Sequence, residues 1–411
     1  MFGNLRCLTC SVCNKQYENG LIYTCTVCGG NLNAEYNTKD LKLTRENESS
    51  YWRFLPLLPL PQDKIPETTL PVGNTPMVNA KKLAKAYGVS ELYVKDESRN
   101  PSGSLKDRAS FLITQMAEAH KIPTVLTAST GNAGCALACC AAASENVAAT
   151  ILVPKSAPAG KIAQLLAYGA KVLLVDGCYD DAFRLSSQMS EKHGLFNRNT
   201  GMNPFTSEGK KTVSFEIFEQ MGCPEYVFVS VGDGNIITGV WKGFKNLLEL
   251  GLIKQMPKLI GCQSSNSNFF IQVEKEMKEK NITNLADKIK YVHEHKGLAS
   301  APTRADSISA SLPSDRVNAY LAVTTTNGYF VEVTDEEILN EIPFVSKNSG
   351  VFPEPAASCA FAGLRKVTKQ VSGKICVIST GTCLKDVNAV QSCGLKGTEV
   401  KELADVEKAI L

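Results

Sequence analysis

From Leu92 onward the chain alternates short runs of β-branched and apolar residues with longer stretches whose apolar positions recur every three or four residues. LYVKD, TVLTA, ATILVP, KVLLVDG, EYVFVSV, KLIGCQ and KICVIST read as strands, and helical patterns separate most of them. Strands of this kind, set between helices, predict an α/β fold with a parallel sheet covered on both faces. Ligands of such sheets bind beyond the carboxyl ends of the strands, so those ends are where chemistry is to be sought.

Three strand ends open through small-residue turns into helices: STGNAG (129–134), GDGNIITG (232–239) and GTCLKD (381–386). Glycine lets backbone N–H groups approach a ligand closely, and the helix start that follows favours an anion. GDGNIITG is not a dinucleotide fingerprint, because Ile237 stands where the last glycine would be. A fourth turn, PSGSLKD, carries Lys106 to the start of an apolar run that begins at Phe111. Taken alone, Lys106 reads either as a solvated loop charge or as a cation placed for a ligand. Together the four turns predict a site for at least two anionic groups.

The chain has 411 residues, 44% apolar and 21% charged, which predicts two or three globular domains rather than disorder or a fibrous repeat. A net charge of +3 is too balanced for nucleic acid or an anionic membrane as the main partner. No apolar run reaches membrane-spanning length, and MFGNLRCLTC lacks the secretory pattern, so a cytoplasmic location is expected. Of fifteen cysteines, Cys135, Cys139 and Cys140 fall in an Ala-rich helical stretch and read as core. The four histidines include none beside a Gly-rich turn, which argues against a triad hydrolase or a His-ligated catalytic metal. His293 and His295, within the charged stretch IQVEKEMKEKNITNLADKIKYVHEHKG, read as part of a solvated helix.

Near the start, CSVC and CTVC place Cys10 and Cys13 eleven residues from Cys25 and Cys28, the two-knuckle spacing of a four-thiolate zinc ribbon. Four thiolates leave no open coordination position, so the metal is expected to be structural. Cys7 is a spare at the same spacing, and NKQYENGLIYT reads as a β-hairpin turning at Asn19–Gly20. Ribbons also dock nucleic acids or proteins, which keeps a non-catalytic docking function as an alternative. Residues 37–71, with the Pro-rich centre YWRFLPLLPLPQDKIP, read as an extended arm over the surface.

In this order, NPSGSLKDRAS, ASTGNAG, VGDGNIITGVWKGF, EPAASCAFAGL and STGTCLKD resemble the threonine synthases, pyridoxal-phosphate enzymes of fold type II. With the ribbon, the resemblance spans nearly the whole chain. It implies a tryptophan synthase β-like fold of two open parallel-sheet subdomains: ribbon 1–36, arm 37–71 and catalytic unit 72–411, with a smaller subdomain inserted at about 115–200. It implies that Lys106 condenses with the aldehyde of pyridoxal 5′-phosphate and acts as both base and acid. Gly232, Asp233, Gly234, Asn235 and Ile236 would receive the cofactor phosphate through backbone N–H groups, with the Asp233 side chain turned outward. Asn132 would bond the pyridine 3′-oxygen, Thr380 would meet the ring nitrogen, and Ser129, Thr130 and Gly131 would hold the substrate α-carboxylate. Asp107 and Arg108 would brace the helix. The implied reaction converts O-phospho-L-homoserine and water to L-threonine and phosphate, in a homodimer with structural zinc.

The family usually carries an arginine that grips the substrate phosphate where NPFTSEGKKT has Thr206. A hydroxyl cannot replace a bidentate charged fork. Lys161, Lys210 and Lys211 are cations that could restore the charge, although each alone reads as a surface lysine. Ala133 stands where many relatives have a hydroxyl, and Cys383 where they have glycine. Two other activities fit the same cofactor cradle: β-replacement on O-phosphoserine, of the cysteate or cysteine synthase type, and a threonine or serine deaminase that needs no phosphate pocket.

Overall fold

Strands and helices assemble into three sheets in a computed structural model of the chain, which describes residues 2–66, 70–299, 301–391 and 393–410. At the N-terminus β1 (Leu5–Cys10) lies between β2 (Gln16–Tyr17) and β3 (Leu32–Tyr36), antiparallel to both. The chain next lays down β4 (Met77–Asn79) and β5 (Glu91–Asp96) of a six-stranded sheet. It then leaves to build a four-stranded sheet from β6 (Thr124–Ala128), β7 (Ala148–Pro154), β8 (Lys171–Val175) and β9 (Phe196–Asn197). It returns with β10 (Tyr226–Ser230), β11 (Lys258–Ser264), β12 (Tyr329–Val333) and β13 (Lys374–Ser379). The large sheet runs β12-β11-β10-β13-β5-β4 and is parallel except for β4; the small one runs β8-β7-β6-β9 and is parallel throughout. All seven strands read from the sequence form, and β4, β9 and β12 join them.

In the large sheet Phe228 pairs in register with Ile260 and Val377, all three fully buried, as expected for strands covered on both faces. No described helix is long and apolar enough to cross a membrane.

Three sequence expectations need correction. The ribbon has no hairpin at Asn19–Gly20: the apolar strand β1 takes the centre, and β2 pairs with it across the Cys10–Cys13 knuckle. The arm does not run over the surface. Its aromatic and leucine side chains are too apolar to leave in water, so Tyr51–Leu57 coils into a 3-10 helix capped by Ser50 and packs inward. Trp52 stacks on Phe111 at 4.9 Å, Phe54 meets Phe215 at 5.2 Å, and Arg53 pairs with Glu219 at 2.7 Å. The charged stretch 271–297 is not one solvated helix; it spans Phe269–Glu279 and Leu285–Glu294, separated where Asn281 takes a left-handed φ of 54°. His293 Nε2 lies 2.9 Å from the Cys28 carbonyl, and His295 packs edge-on against Phe269, so neither ring lies free on a wet surface.

A closed ionic network sits under the helix Lys106–Ala119. The fully buried Arg108 guanidinium donates to Glu97 at 2.7 and 2.8 Å and to Glu216 at 2.7 Å through two nitrogens. Lys95 adds a 2.7 Å bond to Glu216, and Thr75 donates to Glu97 at 2.6 Å. Two cations face two carboxylates, and Glu216 is held well below the ordinary carboxylate range because Arg108 and Lys95 outweigh the opposing effect of burial. Removing one partner strands the others in a dry interior. Glu216→Ala is expected to destabilise the protein by about 3–5 kcal/mol, read as a lower urea midpoint; a midpoint unchanged from wild type would show that the network carries no stability.

Candidate active site

Lys106 is the first residue of its helix, and the turn before it is tied to the end of β13. Leu105 N–H donates to the Thr380 carbonyl at 2.9 Å, and Ser104 forms an isolated β-bridge with Gly381. Gly103 takes φ +82°, a conformation that side chains resist. Asp107 closes the turn from the other side by accepting both the Ser102 N–H and its hydroxyl. With Arg108 in its buried network, both neighbours brace the lysine, in agreement with the sequence expectation.

The amine faces a partly open cavity between the two parallel sheets, where it meets Asn132, Thr380, Gly232, Asp233, Gly234 and Ile236. Ser230, Ser307, Ile308, Glu354 and Ala356 complete the lining, and sequence reasoning gave none of these a role. Glu354 lies inside the quoted motif EPAASCAFAGL, which could have flagged it; Ser307 and Ile308 belong to a stretch with no recognisable pattern. Gly232 is indispensable sterically: a Cβ there would come within 2.5 Å of Ile308 Cα. Gly234 takes φ +88° and brings no capping side chain to the helix Asn235–Glu249 that it opens.

Asp233 does not turn outward. Its Oδ1 accepts the Asn235 N–H at 2.9 Å and its Oδ2 lies 3.9 Å from Lys106 Nζ. Burial would raise this carboxyl, but Lys106 and Lys210 outweigh it and hold the group below its ordinary range. The carboxylate thus answers local positive charge and occupies one N–H assigned above to a phosphate.

Lys210 and Lys211 are not surface lysines; both are buried. Lys211 pairs with Glu208 at 2.6 Å, whereas Lys210 Nζ donates to the Asn235 side-chain carbonyl. Burial and the nearby Lys106 charge push Lys210 well below the usual lysine range. Arg198, to which no role was given, is also fully buried, and burial pulls it down to about 10. It lies in FNRNTG, where no periodicity or motif singles it out.

The other expected substrate residues are spread around this centre. Thr206 is buried beside Asn235 at 3.2 Å, its hydroxyl donating to the Asn203 carbonyl at 2.8 Å. Ser129, Thr130 and Gly131 form the turn into the helix Asn132–Ala142, with Gly131 facing Ser307. Lys161 does not line the cavity; it is partly exposed and pairs at 2.6 Å with Asp306, the neighbour of the lining residue Ser307. Asn132 is held at both ends of its amide: it donates to both Glu354 oxygens at 2.9 and 3.0 Å and accepts from Lys385 at 3.0 Å.

In the ribbon, the sulfurs of Cys10, Cys13, Cys25 and Cys28 all lie within 4.8 Å of one another, and two pairs are 3.5 Å apart. A tetrahedron of thiolates around zinc separates its sulfurs by roughly 3.8 Å, so the spacing fits that ion. Cys7 lies outside the cluster, 3.7 Å from Thr9. The ribbon leans on the segment that carries Arg198 and Thr206. Asn31 donates to the Gly201 carbonyl at 2.6 Å, Tyr23 OH accepts the Asn197 N–H at 2.9 Å, and Tyr36 OH donates to Glu208 at 2.9 Å.

The profile of one family, described as pyridoxal-phosphate dependent enzyme, matches residues 68–381. The chain is 33% identical to a threonine synthase of Methanocaldococcus jannaschii over 98% of both chains. It is also 33% identical to one of Methanosarcina acetivorans over 93% of both, and 34% identical to one of a Synechocystis species over 85% of this chain and 88% of that one. The chain belongs to the threonine synthase family of pyridoxal-phosphate dependent enzymes. Among solved structures it is similar to a processed threonine deaminase of Solanum lycopersicum, with TM-score 0.61 and 23% identity over 82% of this chain and 87% of that one. Maize serine racemase aligns with TM-score 0.62 and 21% identity over 78% of this chain and 93% of that one. At these identities the structures show the fold alone, which is fold type II.

The family's cofactor fits the cavity. Ser230 Oγ is buried without a protein hydrogen-bond partner, and the glycine turn leaves backbone room that a side chain would fill. Gly232→Ala is expected to lower the affinity for pyridoxal phosphate at least about tenfold, since the new methyl displaces the Ile308 backbone that roofs the site. Absorbance titration of the apoprotein checks this, and wild-type affinity in a folded variant would refute it.

Proposed function

We propose that the chain is a threonine synthase, converting O-phospho-L-homoserine and water to L-threonine and phosphate. One observation carries the reading: a lysine facing a glycine-lined cavity, in a chain that matches named threonine synthases end to end, ribbon included. Gly232, Gly234 and Ile236 would take the cofactor phosphate through backbone N–H groups, and Thr380 would meet the ring nitrogen. Asn132, held between Glu354 and Lys385, would bond the ring oxygen. Ser129, Thr130 and Gly131 would hold the α-carboxylate at the start of their helix. Pyridoxal phosphate, when bound, supplies an electron sink that acidifies the carbons next to the amino group.

Lys106 Nζ is the group that moves protons. Facing the cavity, it takes the α-proton and returns one farther along the substrate chain. Asp233, 3.9 Å away, steadies the charge that the amine gains. Both neighbouring residues hold the helix start still while this happens, so the amine keeps its aim.

The four ribbon thiolates would hold a structural zinc ion, which fits their spacing and supplies no step. The division into ribbon 1–36, arm 37–71 and catalytic unit 72–411, with a subdomain inserted at about 115–200, is part of the same reading. A homodimer and a cytoplasmic location belong to it as well and rest on the resemblance alone.

Parallel assays test the reaction. Threonine and phosphate from O-phosphohomoserine are expected, while a sulfur amino acid from O-phosphoserine with sulfide or sulfite, and no threonine, would overturn it. Lys106→Ala is expected to lose at least about 10²- to 10⁴-fold in turnover, and borohydride should fix the cofactor to Lys106 as seen by peptide mass. Metal analysis of the purified protein should find about one zinc per chain, lost together with ordered ribbon resonances when Cys25 is changed to serine.

A further inference from the structure

We infer that Arg198 and Lys210 form the seat of the substrate's leaving phosphate, a refinement that rests on the reading of the site as one for a phosphorylated amino acid. Buried cations elsewhere in this fold are answered by carboxylates: Lys95 and Arg108 by Glu97 and Glu216, Lys211 and Lys242 by Glu208. Arg198 and Lys210 are just as buried, yet among the described residues neither has a carboxylate within ion-pair distance. Arg198 donates from Nε to Ser110 Oγ at 3.1 Å and from Nη1 to Thr200 Oγ1 at 2.5 Å, while its Nη2 is buried with no partner at all. Lys210 has only the neutral amide oxygen of Asn235. A buried charge without a carboxylate of its own is costly, and the single Asp233 is shared among Lys106, Lys210 and Arg198, so a fold that keeps this surplus around the lysine is built to receive an anion.

Their position says which anion. Ser110 lies one helical turn beyond Lys106 on the same face, so Arg198 approaches the lysine along its own helix. Lys210 approaches through Asn235, whose N–H is held by the carboxylate that faces Lys106. The nearby carboxylates are engaged: Asp233 as described, Asp107 by Ser102, and Asp315 by Asn235 and Asn318. The Thr206 hydroxyl is spent on the Asn203 carbonyl. A phosphate brings two negative charges and several acceptor oxygens, enough to occupy the free Nη2 and the lysine together. A free hydroxy amino acid would leave both cations unanswered, so the pair selects phosphorylated substrates over deaminase substrates.

The test uses the full-length holoenzyme with Lys210→Met, Arg198→Gln and the conservative Arg198→Lys. Cofactor absorbance per chain is expected to stay at the wild-type level. KM for O-phosphohomoserine is expected to rise about thirtyfold or more in the first two variants, with kcat less affected and partial recovery in Arg198→Lys. Inorganic phosphate, as a probe, should raise the thermal midpoint of the wild type and leave Lys210→Met unmoved. Unchanged KM with undiminished phosphate stabilisation would overturn the assignment, as would loss of cofactor absorbance at unchanged KM, which would hand the pair to the cofactor instead. Should the variants not fold, competition decides in the wild type: phosphate inhibition that O-phosphohomoserine does not relieve refutes the seat. If the wild type makes no threonine, the proposed reaction fails separately, and the phosphate-dependent midpoint still judges the pair.

Discussion

The reactive lysine stands where a closed set of buried charges puts it. Arg108 lies two positions along the helix from Lys106, and its guanidinium is locked to Glu97 from the end of β5 and to Glu216 from the helix Thr212–Met221. Any rotation that aimed Lys106 elsewhere would drag a charged fork out of its matched carboxylates into a dry interior, at a cost of several kcal/mol. Thr75 and Lys95 bind the same carboxylates, so the start of the large sheet and the lysine helix are set by one arrangement. Nothing in that arrangement reacts; its contribution is aim.

Around the lysine, electrostatics divides into two regimes. Below it, each cation meets its carboxylates and the interior is neutral. Beside it, Asp233 faces Lys106, Lys210 and Arg198 together, and the balance is positive. A dry region with surplus positive charge holds anions more strongly than any surface lysine could, because little water competes.

Much of this was legible in the chain. Parallel strands buried on both faces are apolar almost throughout, which makes β5, β6, β7, β10, β11 and β13 legible; β8 is just as apolar although it is an edge strand with Leu173 and Leu174 exposed, and the glycine turns that follow β6 and β10 mark the cavity. What escaped was decided by tertiary contact. β9 is two residues long, and β4 is a short edge strand, too little for a pattern to register. β12, Tyr-Phe-Val-Glu-Val, carries a glutamate in a five-residue run, too short an alternation to stand out beside the uninterrupted apolar strands. Lys210 and Lys211 look like surface residues in Gly-Lys-Lys-Thr, and it is tertiary packing that buries them: their helix is wedged between the helices Lys106–Ala119 and Asn235–Glu249, and Tyr36 of the ribbon covers Lys211. Arg198 follows a two-residue strand in a polar stretch, with no neighbour to reveal that its fork is enclosed. The inward turn of Asp233 is set by Lys106 and Lys210, which lie far from it in sequence and attract its carboxylate.

The ribbon's docking has a bearing on how the chain is made. Asn33 bonds to Asn318, partners 285 positions apart, and Asn31 reaches Ser314 in the same way. At a synthesis rate of about 5–20 residues per second, the contact with Asn318 becomes possible roughly 15 to 60 s after Asn33 is made, well after the ribbon's other partners Asn197, Gly201 and Glu208. During that interval the four thiols have one another as neighbours, and an ion captured there would guard the nascent polypeptide against oxidation and wrong pairings before the last contacts close.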